Sequence, residues 1–251
     1  MTKIKSLKEI STKAPRGVSK DKMKEENIQL AEKITEFQMK MYAEGKHSML
    51  IILQGMDASG KDGVIKHIFT WVNPMGCQVQ SFKVPTDEEL NHDFLWRVHR
   101  HAPARGMIQI FNRSHYEDVI IPKLEHLLKD KEIDHRYDHI NDFEQLLEDN
   151  GTKILKFYLH VSSEEQISRL HERMIDPKKH WKHNESDWQK ARKYDEMIEI
   201  YDEIFQKCDQ VPWHIIPADD NWYKVNTIAK KILEAFDDMN LKWPKLQVGE
   251  E

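Results

Sequence analysis

Residues 55 to 63 read Gly-Met-Asp-Ala-Ser-Gly-Lys-Asp-Gly, a segment with two spaced glycines, one lysine and two carboxylates. The pattern G-x-x-x-x-G-K belongs to loops that wrap backbone N–H groups around a phosphate. Gly55 and Gly60 free the backbone to turn inward, so Ala58 and Ser59 can aim their N–H groups at an anion. Lys61 adds a point charge, and the helix that opens at Asp62 and Gly63 presents its positive end, with Lys66 one turn further on. Where the nucleotide-binding version of the motif carries a Ser or Thr hydroxyl for Mg²⁺, this sequence has Asp62, and a second carboxylate, Asp57, stands inside the loop. Two negative groups beside a phosphate repel it unless a cation bridges them. Asp57 and Asp62 are therefore read as metal ligands, for Mg²⁺ with Mn²⁺ as the alternative. The plainer alternative is a strand–turn–helix whose glycines only make the turn and whose Lys61 is solvated.

Further candidates lie downstream. Phe111-Asn-Arg-Ser-His-Tyr-Glu-Asp follows an apolar strand and should end at the same sheet edge as the glycine loop. Arg113 is the expected phosphate clamp there, against the alternative of a helix-start pair with Glu117 or Asp118. Asn112 occupies the place where an acid often holds Mg²⁺ through water, which shifts the metal duty to Asp57. Arg169 and Arg173 are four apart and share a helix face, just before the basic, proline-interrupted run Asp176 to His183. With Lys179 and Lys182 they fit a lid that neutralises a transferring phosphoryl group and excludes water, or else a solvated helix with a Glu165–Arg169 pair. Arg97, Arg100, His101 and Arg105 form another cationic patch that a solvated face explains equally well.

These residues need strands and helices to hold them. Met49 to Leu53 reads as a buried strand and Val64 to Phe69 as the helix after the loop. Strands are expected over 78–84, 107–111, 154–161 and 213–216, and helices over 22–44, 64–69, 88–101, 119–128, 162–174, 187–207 and 223–239. The first helix should turn Ile28, Leu30, Ile34, Phe37 and Met41 inward and end at Gly45. Alternating strands and helices predict an α/β fold, a parallel sheet covered on both faces with its ligand at the strand C-termini. The chain of 251 residues suits one such domain over 25–243, including a lid at about 169–186. A basic arm over 1–24 would precede it and a short tail over 244–251 would follow. A net charge of -5 with 32% charged residues gives no global basic field for nucleic acid. Two distant cysteines and no apolar run near membrane length predict a cytoplasmic chain without membrane contact.

With these segments in place, the chain resembles the second family of polyphosphate kinases, which have a P-loop kinase fold, over roughly Gly45 to Trp243. The resemblance rests on Gln54 to Gly63, Ile110 to Val119, and Arg169 through Arg173 to Lys182. It implies Mg²⁺-dependent, reversible phosphoryl transfer between inorganic polyphosphate and adenine nucleotides, ADP to ATP and AMP to ADP, with guanine nucleotides as the alternative. By the same resemblance Asp57, Lys61, Arg113 and Arg173 are the catalytic set, Asn112, His115, Tyr116 and Glu117 serve the nucleotide, and Glu117 favours AMP beside ADP. A homo-oligomer, dimer or tetramer, is also implied. Two rivals remain at this point: an ATP-dependent nucleoside or nucleotide kinase, and a non-catalytic phosphate sensor.

Overall fold

A computed structural model describes residues 6–246. The apolar runs become five parallel strands: β1 (Ser48–Gln54), β2 (Cys77–Ser81), β3 (Ile108–Asn112), β4 (Thr152–His160) and β5 (Trp213–Pro217), in the order β2-β3-β1-β4-β5. Every residue of β1 is buried, as a central parallel strand with helices on both faces requires. The helices are α1 (Lys20–Glu44), α2 (Lys61–Ile68), α3 (Asp87–Leu90), α4 (Trp96–His99), α5 (Glu117–Leu124), α6 (Asp130–Asp149), α7 (Ser163–Ile175), α8 (Glu185–Arg192), α9 (Tyr194–Lys207) and α10 (Asn221–Asp238). The connection leaving β1 runs toward β2, and the one leaving β3 crosses to β4. The C-terminal ends of β1 and β3 therefore flank the crevice where a ligand belongs.

Helix α1 ends on Gly45 in the left-handed conformation, and it buries Leu30, Ile34 and Met41. Ile28, expected inside, is 54% exposed, while Phe37 stacks on Phe236 of α10 at 5.4 Å. Several expectations need correction. The helix expected over 88–101 is two short helices, because the Asp93 carboxylate caps the Leu95 and Trp96 N–H groups and starts a new turn. The long helix over 187–207 breaks at Lys193. Helix α6 was not expected at all. The basic arm contributes to the core: Leu7 is 1% exposed, and Ser6 and the Leu7 N–H both bond Asp202 of α9. Residues 1–5 of that arm and 247–251 of the tail lie outside the described residues.

One buried polar cluster ties α6 to the sheet. Lys156 of β4 and Glu144 of α6 are both fully buried and 2.6 Å apart. Glu144 also accepts from the Tyr116 hydroxyl at 2.8 Å and lies 3.2 Å from His115 Nε2, while Lys156 donates to the Cys208 carbonyl at 3.0 Å. Burial alone would push the Glu144 carboxyl up, but Lys156 and His115 hold it below the usual range. Removing one partner leaves a buried charge unpaired. Lys156→Met should therefore cost about 3 kcal/mol or more in urea denaturation, and Lys156→Met with Glu144→Leu should cost less than the single change.

Candidate active site

The loop between β1 and α2 closes tightly because its glycines permit it. Gly55 has φ +144, and a side chain there would meet the Leu159 carbonyl at 2.8 Å; Gly60, at φ +97, caps α2. Ala58 is also left-handed, at φ +61, a strain that the surrounding contacts must hold. Lys61 is buried, and its ammonium donates to the Gly55 carbonyl at 2.7 Å and the Met56 carbonyl at 3.0 Å. Burial, then the nearby Arg113 guanidinium, pull its pKa down to about 8.

Arg113 follows β3 in a left-handed conformation, φ +63, with its N–H bonded to the Leu53 carbonyl at 3.0 Å. That kink turns its guanidinium to Glu117 at 3.3 Å, one of the two helix-start partners expected, and to Asp57 across the crevice, a pairing the sequence reading did not include, so the arginine joins the two motifs. Glu117 first, then Asp57, raise the Arg113 pKa against its burial. For Asp57, burial pushes the carboxyl up, but Arg113, Lys61, Lys190 and Arg173 together hold it below the usual range. Asp62 is held by the Asn112 amide at 2.9 Å and by Lys182. These bonds keep its carboxyl low against burial. Arg173 bonds Asp187 at 2.7 Å and the Lys182 carbonyl at 3.1 Å. Burial and the Asp57 charge raise the Asp187 carboxyl, which softens that bridge.

These residues line an open cleft of about 840 Å³ between the glycine loop, the ends of β2 and β3, and the connection from α7 to α8. Ala58 to Gly63, Lys179 and Lys182 line it too. Lys190 and Lys83 join it, and neither carries a motif signal. Other expected site residues sit elsewhere. His115 and Tyr116 are fully buried against Glu144, because the chain after Ser114 turns into the core, so neither lines this cleft. Lys66 points to solvent from α2, and Glu117 reaches the cleft only through Arg113. Arg97 is buried, bonding Asp118 at 2.8 Å and the Lys83 carbonyl at 3.0 Å, and Arg105 is exposed away from the cleft.

Arg169 also lines the cleft but is no free clamp. Its Nε donates to Glu165, Nη1 to the Ala58 and Ser59 carbonyls, and Nη2 to the Ala218 and Asp219 carbonyls. All five donors of a guanidinium are thereby used. The side chain is a strut that fixes the glycine loop to the end of β5.

A parallel sheet with a glycine-rich anion loop after its central strand and an arginine at the end of the neighbouring strand defines a P-loop kinase-type phosphotransferase. The chain belongs to the polyphosphate kinase 2 (PPK2) family, whose model matches residues 17–244. It is 42% identical to the AMP/ADP-polyphosphate phosphotransferase of Meiothermus ruber over 88% of this chain and 84% of that one. It is 37% identical to the ADP-polyphosphate phosphotransferase of Rhodopseudomonas palustris, over 85% and 79%. The crystal structure of polyphosphate kinase 2 from Arthrobacter aurescens superposes with a TM-score of 0.94 at 37% identity, covering 98% of this chain and 89% of that one. No described helix is long and apolar enough to cross a membrane.

Arg169→Ala strands the carbonyls of Ala58, Ala218 and Asp219 and leaves that of Ser59 to Lys224 alone. It should lower the melting temperature by about 6 °C, corresponding to about 2 kcal/mol, in a thermal scan, and Arg169→Lys should not restore it, since one ammonium cannot span both pairs.

Proposed function

We propose that this chain moves phosphoryl groups between inorganic polyphosphate and adenine nucleotides, forming ATP from ADP and ADP from AMP. One observation carries the reading: Lys61, Arg113, Arg173, Lys182 and Lys190 converge on one open cleft beside a phosphate-binding loop. An elongated polyanion fits such a trough better than a closed pocket would, because several phosphates must be met at once. No covalent protein intermediate is needed. The nucleotide's terminal oxygen attacks a polyphosphate phosphorus in line, the chain of one fewer phosphate leaves, and the protein positions the groups and balances their charge.

Lys61 leaves the Gly55 and Met56 carbonyls to hold the reacting phosphates. Arg113 faces the charge that develops on the transferred group. Arg173 comes from the α7–α8 connection, which acts as a lid with Lys179 and Lys182 on its rim. The donor set also suits Mg²⁺: Asp57 and Asp62 are hard oxygen ligands at the mouth of the loop, although no group of three metal-ligating side chains exists among the described residues. Mg²⁺ commonly takes one or two carboxylates with waters and phosphate oxygens, so two suffice, and its chemistry there is neutralisation of phosphate charge. Asn112 supports this arrangement by orienting Asp62, where a second acid would repel it.

Incubation with polyphosphate and ADP, with no ATP added, should yield ATP by luciferase assay, and polyphosphate with AMP should yield ADP and then ATP by chromatography. An ATP-dependent kinase or a binding-only protein yields neither. Arg173→Ala should lower kcat by about 10²-fold with the melting temperature changed by less than about 2 °C, since a clamp on the transferring group acts in the transition state. The ammonium form of Lys61 holds phosphate, so kcat/KM for polyphosphate should stay level below about pH 8 and fall above it. Arg113→Met removes a like charge and should move that limb to higher pH, whatever it does to the maximum rate.

A further inference from the structure

Lys224, on the first turn of α10, is 1% exposed. Its Nζ donates to the Ser59 carbonyl at 2.8 Å, and the same nitrogen fills the space where a side chain on Gly60 would stand. Burying an ammonium without a counter-charge is costly. The charges facing it are Arg169 and Glu165 of α7, Lys61 at the start of α2, and Asp219 from the turn before α10. Both carboxylates are already committed, Glu165 to Arg169 and Asp219 to the Thr12 hydroxyl and the Ser162 N–H. No carboxylate among the described residues forms an ion pair with Lys224, and with Glu165 and Asp219 committed, an uncommitted negative charge can come to it on the far side of the loop that it touches.

Resting on the phosphate reading above, we propose that Lys224 is a positioning residue of the phosphate loop and that its missing counter-charge is the bound phosphate chain. From behind the loop it draws the Ser59 carbonyl away from the cleft, beside Arg169, so that the loop's N–H groups face the anion. Its charge then adds to theirs through a single layer of backbone. In the ligand-free protein this arrangement is costly: burial, with Arg169 and Lys61 close by, holds the Lys224 pKa down to about 7 from 10.5. Between those values the unfolded chain binds more protons than the folded one, so the penalty is full below about pH 7 and fades as the pH rises.

The test uses the full chain and its Lys224→Met and Lys224→Arg variants, with inorganic tripolyphosphate as the probe in calorimetry and thermal scans without ligand at pH 6.5 and pH 9. Lys224→Met should bind tripolyphosphate about tenfold more weakly or worse, yet melt no lower than the parent at pH 6.5, with any advantage shrinking at pH 9. Lys224→Arg should keep binding within about threefold of the parent. A Lys224→Met chain that binds like the parent overturns the assignment, and so does one that melts lower at pH 6.5 or fails to fold, since an unpaired buried charge does not hold a fold together. A parent that binds no tripolyphosphate overturns both this assignment and the polyphosphate reading, whereas loss confined to the variant leaves both standing.

Discussion

Lys61, Arg113, Arg173, Lys182 and Lys190 face one cleft, and without an anion each pair at contact distance repels by about 4 kcal/mol at an effective dielectric near that of a protein surface. The cleft holds them by interleaving acids. Asp57 stands between Arg113 and Lys190, Asp62 takes Lys182, Asp187 takes Arg173, and Glu117 takes the other side of Arg113. Each of these bridges is partly wet, so it is weak enough to be exchanged for phosphate oxygens. The carboxylates that looked out of place beside a phosphate site keep the empty site assembled.

A second layer lies behind the first. Arg169 and Lys224 bind the loop's carbonyls from the protein side and keep the left-handed backbone at Ala58 in place, while that at Arg113 is tied by its N–H to the Leu53 carbonyl. Local strain of this kind persists only where neighbours over-determine it. The geometry of the N–H groups that face the cleft is therefore set by side chains from α7 and α10, far away in sequence.

The glycine loop was legible in the sequence because its chemistry is local: the residues that bend the backbone also bind the ligand. The strands were legible for a similar reason, being short apolar runs bounded by turns. Helix α6 was not, since Ile133, Tyr137, Ile140, Phe143 and Leu147 are spaced for a buried face but diluted by charged neighbours. Arg169 and Arg173 share a face and both line the cleft, yet one turn of helix separates a strut with every donor used from a guanidinium bonded through Nη1 alone, and spacing alone cannot tell them apart. His115 and Tyr116 adjoin Arg113 in sequence, yet after the left-handed turn at Arg113 the chain runs inward and Ser114, His115 and Tyr116 are all buried, which adjacency alone does not reveal. Lys224 and Lys190 carry no motif at all; only the packing of distant helices brings them to the loop.

Segments about 200 residues apart close on one another. Thr12 and Asp219 exchange bonds, Asn27 and Glu26 meet Trp222 and Asn226, and Phe37 stacks on Phe236. The carbonyl of Asp219, held by Thr12 through its side chain and amide, is one of the four that anchor Arg169. During synthesis the segment from Thr12 to Phe37 leaves the ribosome about 200 residues before its partners from Asp219 to Phe236 emerge. Loop closure over such a separation is slow, and until it occurs the apolar face of α1 lacks the cover that α10 gives it. The phosphate loop takes part of its backing, the Lys224 bond to Ser59, from α10, so a nascent chain that has not yet released that helix holds the loop from the α7 side alone.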